Sequence, residues 1–330
     1  MKIGNKTTSD IILGTFAMGG GTSWQDTTAL DDELIQLMRD AYDLGITGYD
    51  TAPVYGTGRS ERLLGAAIKD HREDVYISTK VCLNWRNTEG SFEYARDGYQ
   101  VYRNFNRKSL IQDTYDSLKR LDTDYIDLMI VHRCPPIDCI KEVAETMNEL
   151  KEKGLIKAVG LSNVGNVSDP IKVLDTYLQY GSLDLIQEKA NILDRKNLDL
   201  LPYCEKHGIV FQNYGGLVSG ALSGNINKEM ASWKGDNRSG NRWFKGDNYL
   251  IVKDVIDQLT PIANHYDCSV PVLALSWLKA QSPCLSLLVG ARRLSSIKDT
   301  LKVLDIHLSA EDIEALNEIS RDANKRIKED

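Results

Sequence analysis

The chain has no apolar run close to the ~18 residues that a membrane span needs. Its start, residues 1–10, is polar and lacks the apolar core of a secretory leader. No membrane partner is expected. Basic charge is not in excess either. The net charge is −7 and no basic stripe is visible, so the chain has no means of neutralising a row of phosphates, and nucleic acid is not an expected partner. Six cysteines occur, at 82, 134, 139, 204, 268 and 284, without a CxxC pair or a metal-ligand spacing. That excludes a disulfide framework and gives no metal site. Reduced thiols and the missing leader together lead us to expect a cytoplasmic protein. Only 8 prolines occur in 330 residues, and no Pro/Ser-rich linker divides them. A single domain over 1–330 is therefore expected. The composition, 42% hydrophobic and 26% charged, is that of an ordinary globular chain. Nothing in it speaks to oligomeric state.

What is present is an alternation of short apolar strands with helical stretches. Strands are expected at 11–15, 46–50, 75–80, 125–131, 157–161, 183–187, 209–213 and 285–289. Helices are expected at about 28–44, 60–69, 108–121, 138–153, 168–180, 197–207, 250–266, 271–281, 294–304 and 310–320. Leu30, Leu34, Leu37, Met38 and Ala41 show the helical spacing, with Gly45 behind them. Residues 125–131, Tyr-Ile-Asp-Leu-Met-Ile-Val, are almost continuously apolar, as strands buried on both faces of a parallel sheet are. Eight such strands alternating with helices predict an α/β fold, a (β/α)8 TIM barrel, over a doubly wound sheet. Two long polar excursions, 83–103 and 215–248, follow strands. They are expected on the C-terminal face, where barrels keep their active sites.

Four chemically useful side chains stand at or just beyond strand ends: Asp50, Tyr55, Lys80 and His132. They can meet only if their strands lie side by side and parallel. A phenol is a weak acid, with an ordinary pKa near ~10, and a nearby ammonium favours its phenolate. A carboxylate beside that ammonium keeps it charged in a dry pocket. Asp50, Lys80 and Tyr55 thus form a proton-donating group with Tyr55 as the acid, and His132 can orient a carbonyl oxygen. A rival use of the same residues is a Schiff base on Lys80, as in lyases.

Several runs make the chain resemble the aldo-keto reductases. They include Gly48-Tyr-Asp-Thr-Ala-Pro-Val-Tyr-Gly56, Gly58-Arg-Ser-Glu-Arg-Leu-Leu-Gly65, Ser78-Thr-Lys80 and Ser117-Leu-Lys-Arg-Leu-Asp-Thr-Asp-Tyr-Ile-Asp-Leu128. Val159-Gly-Leu-Ser-Asn163, Tyr214-Gly-Gly-Leu217 and Val289-Gly-Ala-Arg292 continue the series in family order, from about residue 11 to 320. The likeness is greatest to bacterial members. It implies a barrel that binds NADPH across its C-terminal mouth and reduces a small carbonyl substrate, an aldehyde, ketone or sugar, with NAD the less expected cofactor. It implies Tyr55 as acid, Lys80 and Asp50 tuning it, and His132 orienting substrate. Ser162, Asn163 and Gln187 would hold the carboxamide, and Tyr214 would stack on the nicotinamide. Thr15, Phe16, Asp50, Gly215 and Leu217 would line the rest of the cofactor groove. Gly290, Ala291, Arg292 and Ser296 would take the adenosine end, where backbone amides and a guanidinium suit a phosphate.

The chain departs from the family at Arg133-Cys-Pro-Pro136, at Glu188-Lys-Ala-Asn191, and at Ser296 and Thr300. The first two bear on substrate choice, the last on NADP over NAD. Phe16, Trp24, Trp85 and Trp233 are candidate pocket walls. Some relatives bind the cofactor chiefly as regulatory subunits, a second reading of the same fold.

Overall fold

The computed structural model describes residues 1–21, 30–224, 226, 229, 236 and 238–327. The eight expected strands close on one another. In chain order they are β3 (Ile11–Gly14), β4 (Gly48–Asp50), β5 (Tyr76–Val81), β9 (Ile126–Val131), β10 (Ile156–Ser162), β11 (Leu185–Lys189), β12 (Val210–Tyr214) and β13 (Leu285–Gly290). Each pairs in parallel with the next, and β13 returns to β3 with Leu287 opposite Ile11. Nearly every residue of these strands is buried, which is why their apolar runs are continuous rather than alternating.

Helices α1 (Asp31–Asp43), α2 (Arg59–Ile68), α3 (Arg107–Leu121), α4 (Ile140–Glu152), α5 (Pro170–Leu178), α6 (Leu201–His207), α7 (Asn248–His265), α8 (Val270–Lys279), α9 (Leu294–Leu301) and α10 (Ala310–Arg326) surround the barrel. Their starts are legible in side-chain chemistry. Asn106, Asp169, Ser269 and Ser309 each accept an amide N–H of the first turn, of Ser109, Lys172, Val272 and Asp312 in turn. No helix among the described residues is long and apolar enough to cross a membrane. All six cysteines are free.

Two elements were not expected. The polar N-terminus forms a small hairpin, β1 (Lys2–Ile3) with β2 (Lys6–Thr7). Ile3 packs with Tyr76, Leu128, Ala158 and Leu185 and plugs the end of the barrel where the strands begin. Lys6 donates to the carbonyl of Val75 at 2.6 Å. The excursion 83–103 is ordered as β6 (Leu83–Asn84), β7 (Ser91–Arg96) and β8 (Tyr99–Arg103) in an antiparallel sheet. Its turn is Asp97-Gly98, both at positive φ, as a tight hairpin of this twist needs. Between 215 and 248 the described residues are largely packed: Trp243 and Phe244 are buried, and Trp243 Nε1 donates to Asp194.

Candidate active site

At the C-terminal mouth the strand ends deliver the four expected side chains to one place. Asp50 ends β4 and Lys80 lies near the end of β5, so parallel neighbours carry the two charges. Lys80 Nζ donates to Asp50 Oδ1 at 2.6 Å and to the carbonyl of Thr51 at 2.8 Å. The pair is only 1% and 2% exposed, so its charges survive through those bonds and through others to the carboxylate. Ser78 Oγ and Gln187 Nε2 each donate to Asp50 Oδ2 at 2.9 Å. Burial alone would push the Lys80 ammonium down, but Asp50 and Tyr55 together outweigh it, and the net shift is upward.

Tyr55 follows β4 in a turn held by Gly19 and Gly56. A Cβ on Gly19 would lie 2.6 Å from the carbonyl carbon of Tyr55, and one on Gly56 would lie 2.1 Å from the Gly19 oxygen. Only glycines allow these two backbones to approach so closely. The Tyr55 ring lies 4.9 Å from Lys80 Nζ, 4.8 Å from the Phe16 ring and edge-on to His132 at 6.0 Å. Its pKa moves opposite to the expectation. Burial pushes the phenol up by more than Lys80 pulls it down, so the net shift is upward and the hydroxyl keeps its proton at neutral pH. His132, next to β9, is driven well below the ordinary imidazole value by burial, then by Lys80 and Arg133. It is neutral at pH 7, and its Nδ1 is buried with no partner among the described residues.

The expected cofactor residues fall in two groups. Ser162, Asn163, Gln187 and Tyr214 form one cluster on β10, β11 and β12. Asn163 Nδ2 donates to the His132 carbonyl at 3.1 Å and to Ser162 Oγ at 3.0 Å. The Tyr214 hydroxyl donates to Asn163 Oδ1 at 2.8 Å, which fixes its half-exposed ring at the rim. Gln187 Nε2 also donates to Gln212 Oε1 at 2.7 Å. With both its amide hydrogens committed, Gln187 can only accept at Oε1, which suits a carboxamide N–H. Gly215 is exposed, where a Cβ would meet only Lys189 Cγ, at 3.8 Å, and Leu217 is half-buried. Thr15 is fully buried, and its hydroxyl bonds the Asp50 carbonyl and Ser60 Oγ, so it borders the site by its backbone alone.

The second group lies at the end of β13 and just beyond it. Gly290 and Ser296 are exposed, Ala291 is buried and Arg292 half-buried. Arg292, Arg293 and Leu294 share a cleft of about 510 Å³ with Asp32, Glu33 and Asp40 of α1, so carboxylates and guanidinium groups line the same cleft. Thr300 is buried. Trp85 lies against Arg120 of α3, while Trp24 and Trp233 fall outside the described residues.

Sequence reasoning missed Gln212 and understated Glu188. Polar Gln212 and Asn213 within the largely buried run Val210–Tyr214 were the available signal for the first. Glu188 is fully buried and accepts the amide N–H of Val164 at 2.6 Å and of Gly165 at 3.2 Å. It thereby sets the turn that carries Asn163, whose φ is +63°. Burial pushes its carboxyl from 4.5 up to about 7, against those two bonds. The folded protein thus holds this proton at pH values where the unfolded chain has lost it. Stability from this group is fully present at low pH and is lost as pH rises from about 4.5 to about 7. Glu188→Gln is therefore expected to gain on the parent by about 1–3 kcal/mol between pH 5 and pH 8. Urea unfolding at both pH values reads this gap, and an unchanged gap refutes it.

A buried lysine–aspartate pair with a phenol and a neutral imidazole thus stands at the open end of a closed parallel barrel. The Aldo/keto reductase family profile matches residues 10–321. The chain belongs to this family. It is 38% identical over 320 residues to the NADH-specific methylglyoxal reductase of Escherichia coli K12, covering 95% of each. It is 35% identical to the aldo-keto reductase YhdN of Bacillus subtilis, covering 94% of this chain and 89% of that one. The solved glycerol dehydrogenase of Gluconobacter oxydans superposes with a TM-score of 0.86 at 30% identity, over 100% of this chain and 98% of the other. The aldo-keto reductase chain is thus placed among oxidoreductases that use nicotinamide cofactors.

Proposed function

We propose that the protein reduces the carbonyl group of a small aldehyde, ketone or sugar with Tyr55 as general acid. The observation that carries this is the Asp50–Lys80 pair beneath the Tyr55 ring, with neutral His132 edge-on to it. The dinucleotide, when bound, supplies the hydride that reaches the carbonyl carbon. Tyr55 gives its proton to the carbonyl oxygen, and the protonated phenol described above is the form that can give one. Lys80 takes up the charge left on the phenolate, and Asp50, Ser78 and Gln187 hold Lys80 and its counter-charge still. Ser162, Asn163 and Gln187 hold the carboxamide and Tyr214 the nicotinamide face. The Schiff-base use of Lys80 is disfavoured, because a nucleophilic lysine must shed its proton, and here the ammonium is shifted upward and buried on a carboxylate.

The test is steady-state oxidation of NADPH and NADH against a panel of aldehydes, ketones and sugars. Turnover supports the reductase. Cofactor binding without turnover supports the regulatory-subunit reading, and borohydride trapping of substrate on Lys80 supports the lyase.

For the adenosine end we propose that Arg292, with Arg293, grips the 2′-phosphate, so that NADPH binds better than NADH. A second reading, NADH as the working cofactor, is favoured by the name of the 38% identical relative and by the α1 carboxylates in the same cleft. A charge-assisted contact contributes roughly 1.5–3 kcal/mol, or about 10- to 150-fold, and the neutral Ser296 together with those carboxylates holds the preference near the lower end. Arg292→Ala is expected to lower the NADPH-to-NADH affinity ratio by about tenfold. An unchanged ratio, or a parent that prefers NADH, decides for the second reading.

A further inference from the structure

Arg133 stands directly after His132 and belongs to neither the acid group nor the cofactor cluster. Its Nε donates to Glu93 Oε1 of β7 at 2.6 Å. Its Nη1 makes only a long contact, 3.4 Å, to the His132 carbonyl. No bond from Nη2 is seen among the described residues. Glu93 also faces Arg103 of β8 at 3.6 Å, so one carboxylate stands between two guanidinium groups and this trio carries one net positive charge. The Arg133 side chain is 31% exposed, enough shelter to strengthen its charge and enough opening for a ligand to reach it. The reacting end feels that charge: Arg133 contributes a downward pull on both the Tyr55 phenol and the His132 imidazole. A planar guanidinium with free donors matches a carboxylate or a phosphate better than it matches a neutral oxygen.

We propose that Arg133, braced by Glu93 of the mouth hairpin, selects carbonyl substrates that carry a carboxylate or a phosphate. The anion is held at the hairpin while the carbonyl meets Tyr55 and His132. The inference rests on the carbonyl-reduction reading above. The alternative, that Arg133 merely ties the hairpin down, affects charged and neutral substrates alike.

The test uses matched pairs, succinic semialdehyde against butanal and glyceraldehyde 3-phosphate against glyceraldehyde, with kcat/KM as the readout. The parent is expected to favour the charged member of at least one pair by about tenfold or more, the span of one charge-assisted contact. Which pair shows the preference separates carboxylate from phosphate. Arg133→Met is expected to lower that ratio by about 10- to 100-fold, mainly through KM, and Arg133→Lys to restore part of it. Because the ratio compares two substrates on one protein, general damage cancels. The parent alone supplies a further check, since added salt must lower the ratio. A ratio near one in both pairs, a salt-independent ratio, or an Arg133→Met variant with the parent's ratio overturns the inference and leaves the reductase standing. No turnover of any of the four substrates overturns the inference, and the wider panel of aldehydes, ketones and sugars then decides the reductase reading separately.

Discussion

Tyr55→Phe is expected to lower kcat by about 10²- to 10⁴-fold while leaving the cofactor dissociation constant within a few-fold of the parent's. The ring remains against Phe16 and His132, so the pocket keeps its shape and loses only the proton. Burial holds the parent's phenol above its ordinary value, so at neutral pH nearly every molecule carries the proton that the mutant lacks. Tyr55 also lies outside the Ser162, Asn163 and Tyr214 cluster, which is why cofactor binding is spared. Steady-state turnover and a fluorescence titration with the dinucleotide measure the two halves. Turnover within a few-fold of the parent removes Tyr55 from its role as the acid.

The second large effect is on stability. Lys80→Met leaves the Asp50 carboxylate 2% exposed and without its counter-charge. Breaking a buried pair from one side costs about 3–5 kcal/mol, since the bonds from Ser78 and Gln187 do not neutralise the charge left behind. Asp50→Asn combined with Lys80→Met removes both charges and is expected to recover most of that loss, to within about 1–2 kcal/mol of the parent. Both variants are expected to be inactive, so stability and activity separate. Denaturant midpoints for the parent, the single and the double variant decide it. A single variant that loses under about 1 kcal/mol, or a double no better than the single, shows that the pair does not hold its charges as described.

The barrel strands were readable because burial on both faces favours apolar residues, and 126–131 and 285–290 contain few polar ones. The tetrad was readable because strand ends in a parallel barrel all open on one face. What escaped depended on contacts that spacing does not encode. Asp97-Gly98 carried the hairpin signature, but the flanking Ser, Glu and Arg residues hid the strands, whose side chains face solvent on the outer side. The upward shift of Tyr55 comes from packing around it, which no local run of sequence records. Thr15 was expected to line the cofactor groove, yet its hydroxyl turns inward to Ser60. The Arg133–Glu93 contact joins a strand end to a hairpin 40 residues earlier in the chain, and its two members had no shared pattern to connect them.

The bond from Gln187 to Asp50 spans 137 residues, and it divides the site by order of synthesis. Asp50, Tyr55, Lys80 and His132 all leave the ribosome on the first four barrel strands, while Gln187, Tyr214 and Arg292 come with the last four. The half-barrel that carries Asp50, Tyr55, Lys80 and His132 can therefore be laid down while the half that carries Gln187, Tyr214 and Arg292 is still being made. Until β11 docks, the carboxylate that holds Lys80 lacks one of its donors, and until β13 meets β3 the mouth has no closed rim. The finished site is thus a seam between early and late chain, complete only once translation has reached the final strand.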